Sequence, residues 1–294
     1  MANVALLMPL YDPRGVLVEE VERVRNDPAA SGAWRALRAQ LGQAVALAEP
    51  GGSPATREAF AALGVDVRLR SPRSHFMWAL VEAALELDAE YFFLPDSDRL
   101  LHWLLAYPDE LAELPARWGC HDVLSLSRSE RAFASHPPTQ RLTEGPAMAL
   151  IARAIDLVGA DPFSGAYLMS RRALTALAAS EAPRDECIYA EAFLAPARAG
   201  CSFGRWVVEG LEWETPDHFR AEIAARGREV WLADFQSPAQ WEMRARMLAG
   251  WIDRIIAHEN EVLRSRDAYS RRGAGASAAP RALRADARRG RRGL

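Results

Sequence analysis

The sequence contains no lysine, so all 36 basic residues among its 294 are arginines. This absence excludes every reaction that depends on a lysine amine, including Schiff-base chemistry, a Ser-Lys dyad and a Walker-type phosphate loop. Cysteine is also scarce: Cys120, Cys187 and Cys201 are widely spaced, and no CxxC pair occurs. The odd number and the spacing disfavour a disulfide framework and a cysteine zinc site, and they are typical of a reducing compartment.

Long apolar runs are absent as well, and none approaches the roughly 20 residues of a membrane-spanning helix. The apolar stretch from Val4 to Leu10 has no basic segment before it, so we interpret it as a buried strand and not as a signal peptide. We therefore expect a cytoplasmic protein. With 50% hydrophobic and 26% charged residues, the chain has the material for a full-sized core, which excludes a disordered chain.

Positive charge is concentrated at one end of the chain. The formal net charge is −3, but residues 264–294 hold ten arginines against two aspartates, a local charge of +8, and residues 1–263 therefore carry −11. Residues 265–294 are rich in Arg, Ala and Gly with almost no large apolar side chains, which predicts a disordered tail. The modest net charge gives no reason to expect a specific nucleic-acid partner, whereas the tail suggests peripheral contact with an anionic surface.

Short apolar runs alternate with longer helical patterns, which indicates an α/β fold with a mainly parallel, Rossmann-like sheet flanked by helices. A polar stretch without apolar periodicity, residues 127–145, is predicted to be a long loop, followed by a helix over 146–158. We expect one domain over residues 1–236, an amphipathic helix packed on it over 237–264, and the tail. The predicted strands are residues 4–10, 44–48, 65–69, 90–94, 122–126 and 202–208, and a turn that begins at Asp161 is predicted to run into a further strand up to Met169.

Two carboxylates stand at a position where chemistry is expected. Asp96 and Asp98 directly follow the fourth predicted strand, and ligands of open α/β sheets bind outside the carboxyl ends of the strands. Such a pair can hold Mg²⁺ or Mn²⁺, which in turn can bridge the oxygens of a diphosphate. The alternative is structural, with Asp98 capping a helix that begins near Leu100.

Four short segments resemble the GT-A glycosyltransferases of the family 2 type, in order and spacing over about residues 4–220. Val4–Tyr11 is similar to their first strand, and the turn from Glu49 to Ser53 lies where they place an acidic residue and a Gly-Ser turn. Tyr91–Asp98 looks like their metal-binding DxD segment, and Asp161–Gly165 is similar to their acceptor-side segment. The resemblance implies the GT-A fold and a nucleotide-sugar donor, UDP- or GDP-linked.

On the donor side, the resemblance implies that Pro9, Tyr11, Glu49 and Asp96 contact the nucleotide. Glu49 is followed by Pro50 where the family commonly has a second acid, which leaves recognition of the base open. Arg73 lies where related enzymes place a group that reaches the nucleotide or diphosphate, and without lysine it is the natural candidate. The alternative for Arg73 is an exposed residue at a helix start.

Further along, the chain contains Arg184–Tyr189, Gly200–Phe203, Glu209 and the pair Asp217-His218. In these segments it resembles the retaining enzymes that build mannosylglycerate or glucosyl-phosphoglycerate. This resemblance implies metal ligation by Asp98 and Asp96, with His218 as the distant ligand of Mn²⁺ or Mg²⁺. It also places Asp185 or Glu186 near a small-molecule or saccharide acceptor. In an inverting enzyme one of these two carboxylates would be the catalytic base, and in a retaining enzyme it would position the acceptor. An exposed histidine at a helix start is the alternative for His218.

These observations predict a metal-dependent glycosyltransferase. One rival is a nucleotidyltransferase on a related α/β sheet, which normally has a Gly-rich, basic loop after its first strand. Residues 11–15, Tyr-Asp-Pro-Arg-Gly, are a poor version of that loop. Another rival is a non-catalytic module that keeps the fold as an interaction surface.

Overall fold

The computed structural model describes residues 3–70 and 75–276, with side chains up to residue 264. The chain divides into two compact units, residues 1–258 and residues 259–294. The sheet and the sites described below belong to the first unit. The predicted contact residue Arg73 and residues 277–294 of the predicted tail lie outside the described residues.

A seven-stranded sheet forms the centre of the first unit, in the order β3-β2-β1-β4-β6-β5-β7. All neighbouring strands are parallel except β6, which runs antiparallel to both β4 and β5. This arrangement confirms the predicted fold class, a mainly parallel sheet flanked by helices. The strands are β1 (Val4–Leu10), β2 (Gln43–Ala48), β3 (Asp66–Leu69), β4 (Tyr91–Pro95), β5 (Val123–Arg128), β6 (Ala166–Ser170) and β7 (Phe203–Val208).

Helices connect the strands and cover both faces of the sheet. Several begin at side-chain caps; Ser53, for example, accepts a hydrogen bond from the backbone N–H of Thr56. The helices are α1 (Leu17–Asn26), α2 (Pro28–Gln40), α3 (Pro54–Ala62), α4 (Phe76–Glu86), α5 (Ser97–Ala106), α6 (Pro108–Ala112), α7 (Glu130–Ser135), α8 (Pro138–Ala154), α9 (Arg171–Ala178), α10 (Ile188–Arg198), α11 (Arg220–Arg226), α12 (Arg228–Asp234) and α13 (Pro238–Ala276). A 3₁₀ turn over Thr215–Phe219 precedes α11.

The core lies on both sides of the central strands, because successive side chains of a strand point to opposite faces. Leu7 and Phe92 belong to one buried cluster, and their neighbours Leu6 and Phe93 belong to the other. All four are fully buried, as expected for the middle of a parallel sheet covered by helices. The continuous apolar character of β1 and β4 in the sequence has this origin.

The parallel strands β1, β2 and β4 all end at one edge of the sheet. Their last residues are Leu10, Ala48 and Pro95, so the segments that begin with Tyr11, Glu49 and Asp96 leave the sheet side by side. The N–H of Glu49 donates to the carbonyl of Leu10 at 3.2 Å. This edge therefore gathers the donor-side residues that the sequence singled out, apart from Arg73.

The predicted loop over residues 127–145 is wrong, because most of it is helical in α7 and α8. The buried positions of α8 include Thr139, Thr143, Ala147 and Ile151, which follow one another at intervals of four residues on one face. Half of that stripe is threonine, so no apolar period marks the first turns of the helix. Pro146 inside the helix also reads as a break, although the helix continues through it.

The last helix, α13, runs on to Ala276, so the predicted end at residue 264 is too early, and part of the segment predicted to be disordered is helical. The domain boundaries proposed from the sequence stay predictions. Among the described residues, no helix is both long and apolar enough to cross a bilayer.

Candidate functional site

Asp96 and Asp98 lie at the junction of β4 and α5. Asp96 occupies the N-cap position of α5, yet its carboxylate accepts no capping hydrogen bond, and Asp98 lies within the first helical turn. Asp98 Oδ1 accepts the backbone N–H of the next residue, Arg99, at 2.9 Å. The alternative in which Asp98 caps the helix is therefore wrong. Because the Asp96 carboxylate does not cap the helix, it is available to a ligand at the N-terminus of α5, where the helix dipole is positive.

Arg99 joins this pair to a third carboxylate. Its guanidinium is buried, with Nη1 3.0 Å from Glu214 Oε2 and Nε 3.7 Å from Asp96 Oδ2. Nη1 also lies 3.4 Å from the carbonyl oxygen of Leu211. Arg99 thereby connects the start of α5 to the segment that follows β7.

Negative charge exceeds positive charge at this junction. Burial, reinforced by the charge of Asp98, raises the pKa of Asp96 to about 7, although Arg99 opposes the rise. Burial also raises the pKa of Glu214 against the opposing effect of Arg99. One guanidinium thus faces three carboxylates, and a divalent cation at Asp96 and Asp98 would neutralise the excess. The donor set fits such a cation, because Mg²⁺ commonly takes one or two carboxylates and completes its coordination with phosphate oxygens and water.

Gly165 closes the junction from the side of β6. It has a φ of +72°, and a Cβ built on it would lie 2.6 Å from Asp96 Oδ2 and 2.3 Å from Arg99 Nε. The carbonyl of Gly165 accepts the N–H of Asp96 at 2.8 Å. Only glycine therefore satisfies both the backbone conformation and the space that Asp96 and Arg99 occupy.

A cavity of about 200 Å³ opens beside Asp96 and Arg99. Its aromatic part includes Phe163 and Trp251, whose ring centroids are 4.1 Å apart. Charged groups of both signs and an amide line the rest. The full lining is Asp96, Arg99, Gln140, Glu144, Phe163, Gly165, Tyr189, Arg244, Met247 and Trp251.

A buried ion-pair network supports the wall of this cavity. Arg128, at the end of β5, has Nε 2.6 Å from Asp161 Oδ2 and Nη2 2.8 Å from Glu144 Oε2. Glu144 in turn lies 3.2 Å from Arg244 Nη1. Arg128, Asp161 and Glu144 are almost completely buried. The network ties β5, the turn at Asp161, α8 and α13 together around one polar wall.

His218, the predicted distant metal ligand, is paired with a carboxylate in this structure. Its Nε2 is 3.5 Å from Glu20 Oε2 in α1, and both side chains are buried. Burial by itself lowers the pKa of His218, but Glu20, together with Asp98 and Glu214, raises it to about 9. Among the described residues, no group of three or more His, Cys, Asp or Glu side chains is placed to hold a metal ion. Ligation by His218 stays a prediction, and it requires the imidazole to leave Glu20.

The structure places a buried arginine, Arg70, beside Glu49, where the resemblance predicts the nucleotide. Arg70 Nη1 lies 3.6 Å from Glu49 Oε1, and the Arg70 side chain is only 6% exposed. Burial lowers the pKa of Arg70, and the carboxylates of Glu49 and Glu82 oppose this. Tyr11 is 61% exposed at the same sheet edge, and Pro9 is half-buried in β1. Sequence reasoning chose Arg73 and missed Arg70, which lies one residue after β3.

Asp185 and Glu186 lie in a neighbouring pocket of about 390 Å³ against α13, and Met247 lines both this pocket and the cavity at Asp96. Both residues precede α10, because that helix begins at Ile188. The carbonyl of Glu186 accepts a hydrogen bond from Trp251 Nε1 at 2.9 Å. The two predicted acceptor-side acids are thus on the same side of the fold as the Asp96 cavity without lining it.

Sequence reasoning also missed Arg99, Glu214, Arg244 and Trp251. Arg99 carries the only local signal, because it directly follows the Asp-x-Asp pair in a chain without lysine. The other three lie far from that pair along the chain, and no pattern around them indicates a site.

The comparisons with known proteins find a likeness among solved structures alone. No family model and no curated protein matches the sequence. Among solved structures, the chain is similar to glucosyl-3-phosphoglycerate synthase from Mycobacterium tuberculosis in complex with Mn²⁺, UDP and glucosyl-3-phosphoglycerate. The identity is 14%, the TM-score is 0.46, and 71% of this chain and 70% of that chain are covered.

A second similar structure is CMP:2-keto-3-deoxy-manno-octonic acid synthetase complexed with CTP. The identity is 16%, the TM-score is 0.45, and 78% of this chain and all of that chain are covered. At these identities and TM-scores the likeness decides neither activity nor ligand. The activity and the ligand proposed below rest on the side chains of this chain.

Proposed function

We propose that this protein is a metal-dependent glycosyltransferase that moves a sugar from a nucleotide-diphosphate sugar to a small-molecule or saccharide acceptor. The observation that carries the proposal is the position of Asp96 and Asp98 directly after β4, where the Asp96 carboxylate accepts no capping hydrogen bond and lines a cavity of about 200 Å³. The place is where open α/β sheets bind their ligands. The size is in keeping with a single sugar or a molecule of similar bulk.

Asp96 and Asp98 would hold Mn²⁺ or Mg²⁺, with phosphate oxygens of the donor completing the coordination. The bound cation would stabilise the negative charge that develops on the leaving diphosphate. Arg99 orients Asp96 and opposes the rise that burial causes in the pKa of Glu214, since its guanidinium contacts both carboxylates. His218 would join the ligands once its pair with Glu20 opens.

The nucleoside would lie along the edge formed by the ends of β1 and β2. Tyr11 is exposed there for contact with the base or ribose, and Glu49 is held by Arg70. In this proposal Arg70 orients Glu49 and balances its charge, so that Glu49 can accept hydrogen bonds from a nucleoside. Arg73 follows Arg70 by three residues along the sequence, and we expect it to reach the diphosphate.

The acceptor side would be built from the Asp96 cavity and the pocket at Asp185 and Glu186. Phe163, Tyr189 and Trp251 supply aromatic surface on which a sugar ring can pack. Gln140, Glu144 and Arg244 supply donors and acceptors for hydroxyl groups. Asp185 or Glu186 would activate or position the acceptor hydroxyl from the neighbouring pocket.

The segment after β1 argues against the nucleotidyltransferase alternative. A phosphate-binding loop there needs free backbone N–H groups, because these are the donors that bind a triphosphate. In this chain the N–H groups of Val16 and Leu17 donate to the Asp12 carboxylate at 3.0 and 2.9 Å, and Thr56 Oγ1 donates to it at 2.7 Å. These two N–H groups are therefore bonded to Asp12 and are not free to bind a phosphate.

The proposal is tested by thermal unfolding with UDP-, GDP- and ADP-sugars, each with and without Mn²⁺. We expect one class of nucleotide sugar to raise Tm in a metal-dependent way. Asp98→Asn should abolish the metal-dependent part of the shift, whereas the matched control Asp109→Asn, at an exposed position of α6, should retain it.

Three other outcomes of this experiment would contradict the proposal or its metal site. A rise with free nucleoside triphosphates alone would establish the nucleotidyltransferase alternative. No response to any nucleotide would support the non-catalytic module. A metal-dependent shift that survives Asp98→Asn would show that the metal binds elsewhere.

A further inference from the structure

A second pocket lies on the other side of α8 from the cavity at Asp96. Its volume is about 640 Å³, within the roughly 300–1,000 Å³ typical of small-molecule sites. Its walls come from α7, α8 and the connection between α8 and β6. The lining residues are Phe133, Gly145, Met148, Ala149, Ala152, Arg153, Asp156, Leu157, Val158, Gly159 and Ala160.

The interior of this pocket is apolar, with Phe133, Met148 and Leu157 as its large side chains. The only charged residues in its lining are Arg153 and Asp156, which carry opposite charges. Val158, at the connection, is 89% exposed. An apolar hollow of this size on a protein surface is a binding site for a ligand with an apolar body.

A further guanidinium lies beside Gly159, one of the residues that line the pocket. Arg205 of β7 lies directly against Gly159, because a Cβ built on Gly159 would be 2.6 Å from Arg205 Cζ. Gly159 has a φ of +75°, so a side chain there is disfavoured for a second reason. Arg205 is exposed, and within the described part of the chain it forms no ion pair or hydrogen bond.

We propose that this pocket binds an amphiphilic anion of the medium-chain carboxylate class, with the hydrocarbon tail among Phe133, Met148 and Leu157 and the carboxylate at Arg205. The apolar lining selects the tail, and the unpaired guanidinium selects the sign of the head group. The site is separate from the proposed active site and does not depend on the function proposed for it.

The two sites share one wall, and Arg128 stands in it. Its Cζ lies 4.9 Å from the centroid of the Phe133 ring, and its Nη2 lies 3.9 Å from Met148 Sδ. The same Nη2 is bound to Glu144, which lines the cavity at Asp96. The second pocket therefore backs onto the ion-pair network of the first without opening into it.

The proposal is tested by isothermal titration calorimetry of the full chain with decanoate below its micellar concentration. Ala149→Trp fills the pocket from an exposed position of α8 and should weaken binding by about tenfold or more. Leu142→Trp is the matched control, because Leu142 is an exposed residue of the same helix outside the pocket. It should leave binding unchanged.

Arg205→Gln tests the assignment of the head group. It should weaken decanoate about two- to fivefold, as for an exposed ion pair, and leave 1-decanol unaffected. Circular dichroism checks that each variant is folded. The proposal is overturned if the wild type shows no saturable binding, if Ala149→Trp binds as the wild type does, or if Arg205→Gln has no effect on decanoate. Binding to phosphatidylglycerol vesicles without binding to free decanoate would also overturn it, in favour of a lipid surface.

Discussion

Asp96 and Gly165 meet at the end of β4, where the N–H of Asp96 donates to the carbonyl of Gly165 at 2.8 Å and no space is left between the carboxylate and the glycine Cα. The antiparallel strand β6 begins at the next residue, Ala166, which pairs with Pro95. Insertion of β6 between β4 and β5 therefore brings the turn at residues 161–165 against the Asp-x-Asp segment. The segment that the resemblance predicts to be on the acceptor side thereby lies against Asp96.

Asp96 and Arg99 lie so close to Gly165 that a side chain at this position should destabilise the fold by more than its positive φ alone would. Gly165→Ala should destabilise the protein by about 1–2 kcal/mol through its positive φ, and by a further 1–3 kcal/mol, roughly, because Asp96 and Arg99 must move. Gly64→Ala is the matched control, since Gly64 has a φ of +78° and a methyl group added there would meet no atom within 4 Å. Urea unfolding measures both variants, and equal losses would show that the contact with Asp96 carries no energy.

The pairing of Arg99 with Glu214 predicts a strongly nonadditive response to substitution. Arg99→Met leaves Glu214 buried without its cation and should cost about 3–5 kcal/mol. Combining it with Glu214→Gln should recover part of that loss, because the uncompensated charge is then absent. A double-mutant cycle by urea denaturation measures the interaction, and strictly additive losses would contradict the pairing.

His102 predicts a defined dependence of stability on pH. Its Nδ1 is 2.7 Å from Asp217 Oδ2 and its Nε2 is 3.3 Å from Glu212 Oε1. Burial alone lowers the pKa of His102, but the hydrogen bond to Asp217 and the nearby carboxylates raise it overall. The folded state thus keeps a proton that the unfolded state loses above about pH 6.5.

The stabilisation by protonated His102 is therefore complete below about pH 6.5 and is lost as the pH rises through the raised pKa of the folded state. In that window the free energy of unfolding should fall by at most about 1.4 kcal/mol per pH unit from this group. His102→Gln should remove that slope, and Asp217→Asn should reduce it. Urea unfolding at a series of pH values makes the comparison, and an unchanged slope in His102→Gln would refute the assignment.

The buried contacts of Trp251 predict that this side chain anchors α13 to the wall of the Asp96 cavity. It is 1% exposed, packs on Phe163 and donates to the carbonyl of Glu186. Trp251→Ala should cost about 3–5 kcal/mol and weaken any ligand of the Asp96 cavity. Trp241→Ala, at a position of the same helix that is 36% exposed, should cost only about 0.5 kcal/mol. Thermal unfolding and ligand titration of both variants decide the matter, and equal effects would contradict the anchoring role.

The sequence by itself determined the features that depend on local pattern. The apolar runs of β1, β2 and β4 predicted a parallel sheet, and the position of Asp96 after β4 predicted which edge carries the chemistry. Local pattern failed for α8, because its buried stripe begins with Thr139 and Thr143 and because Glu144 faces a cavity and a buried ion pair. A helix whose buried face carries polar side chains shows no apolar periodicity in its sequence.

Only the tertiary structure decided which side chains meet. Arg99 and Glu214, Phe163 and Trp251, and Glu20 and His218 are each far apart along the chain, yet each pair is in contact. Residue spacing carries no information about such contacts, since they depend on the strand order and on where α13 packs. The sequence therefore located the candidate site at Asp96 and Asp98, and the fold supplied the arginine, the aromatic surface and the walls that make it a cavity.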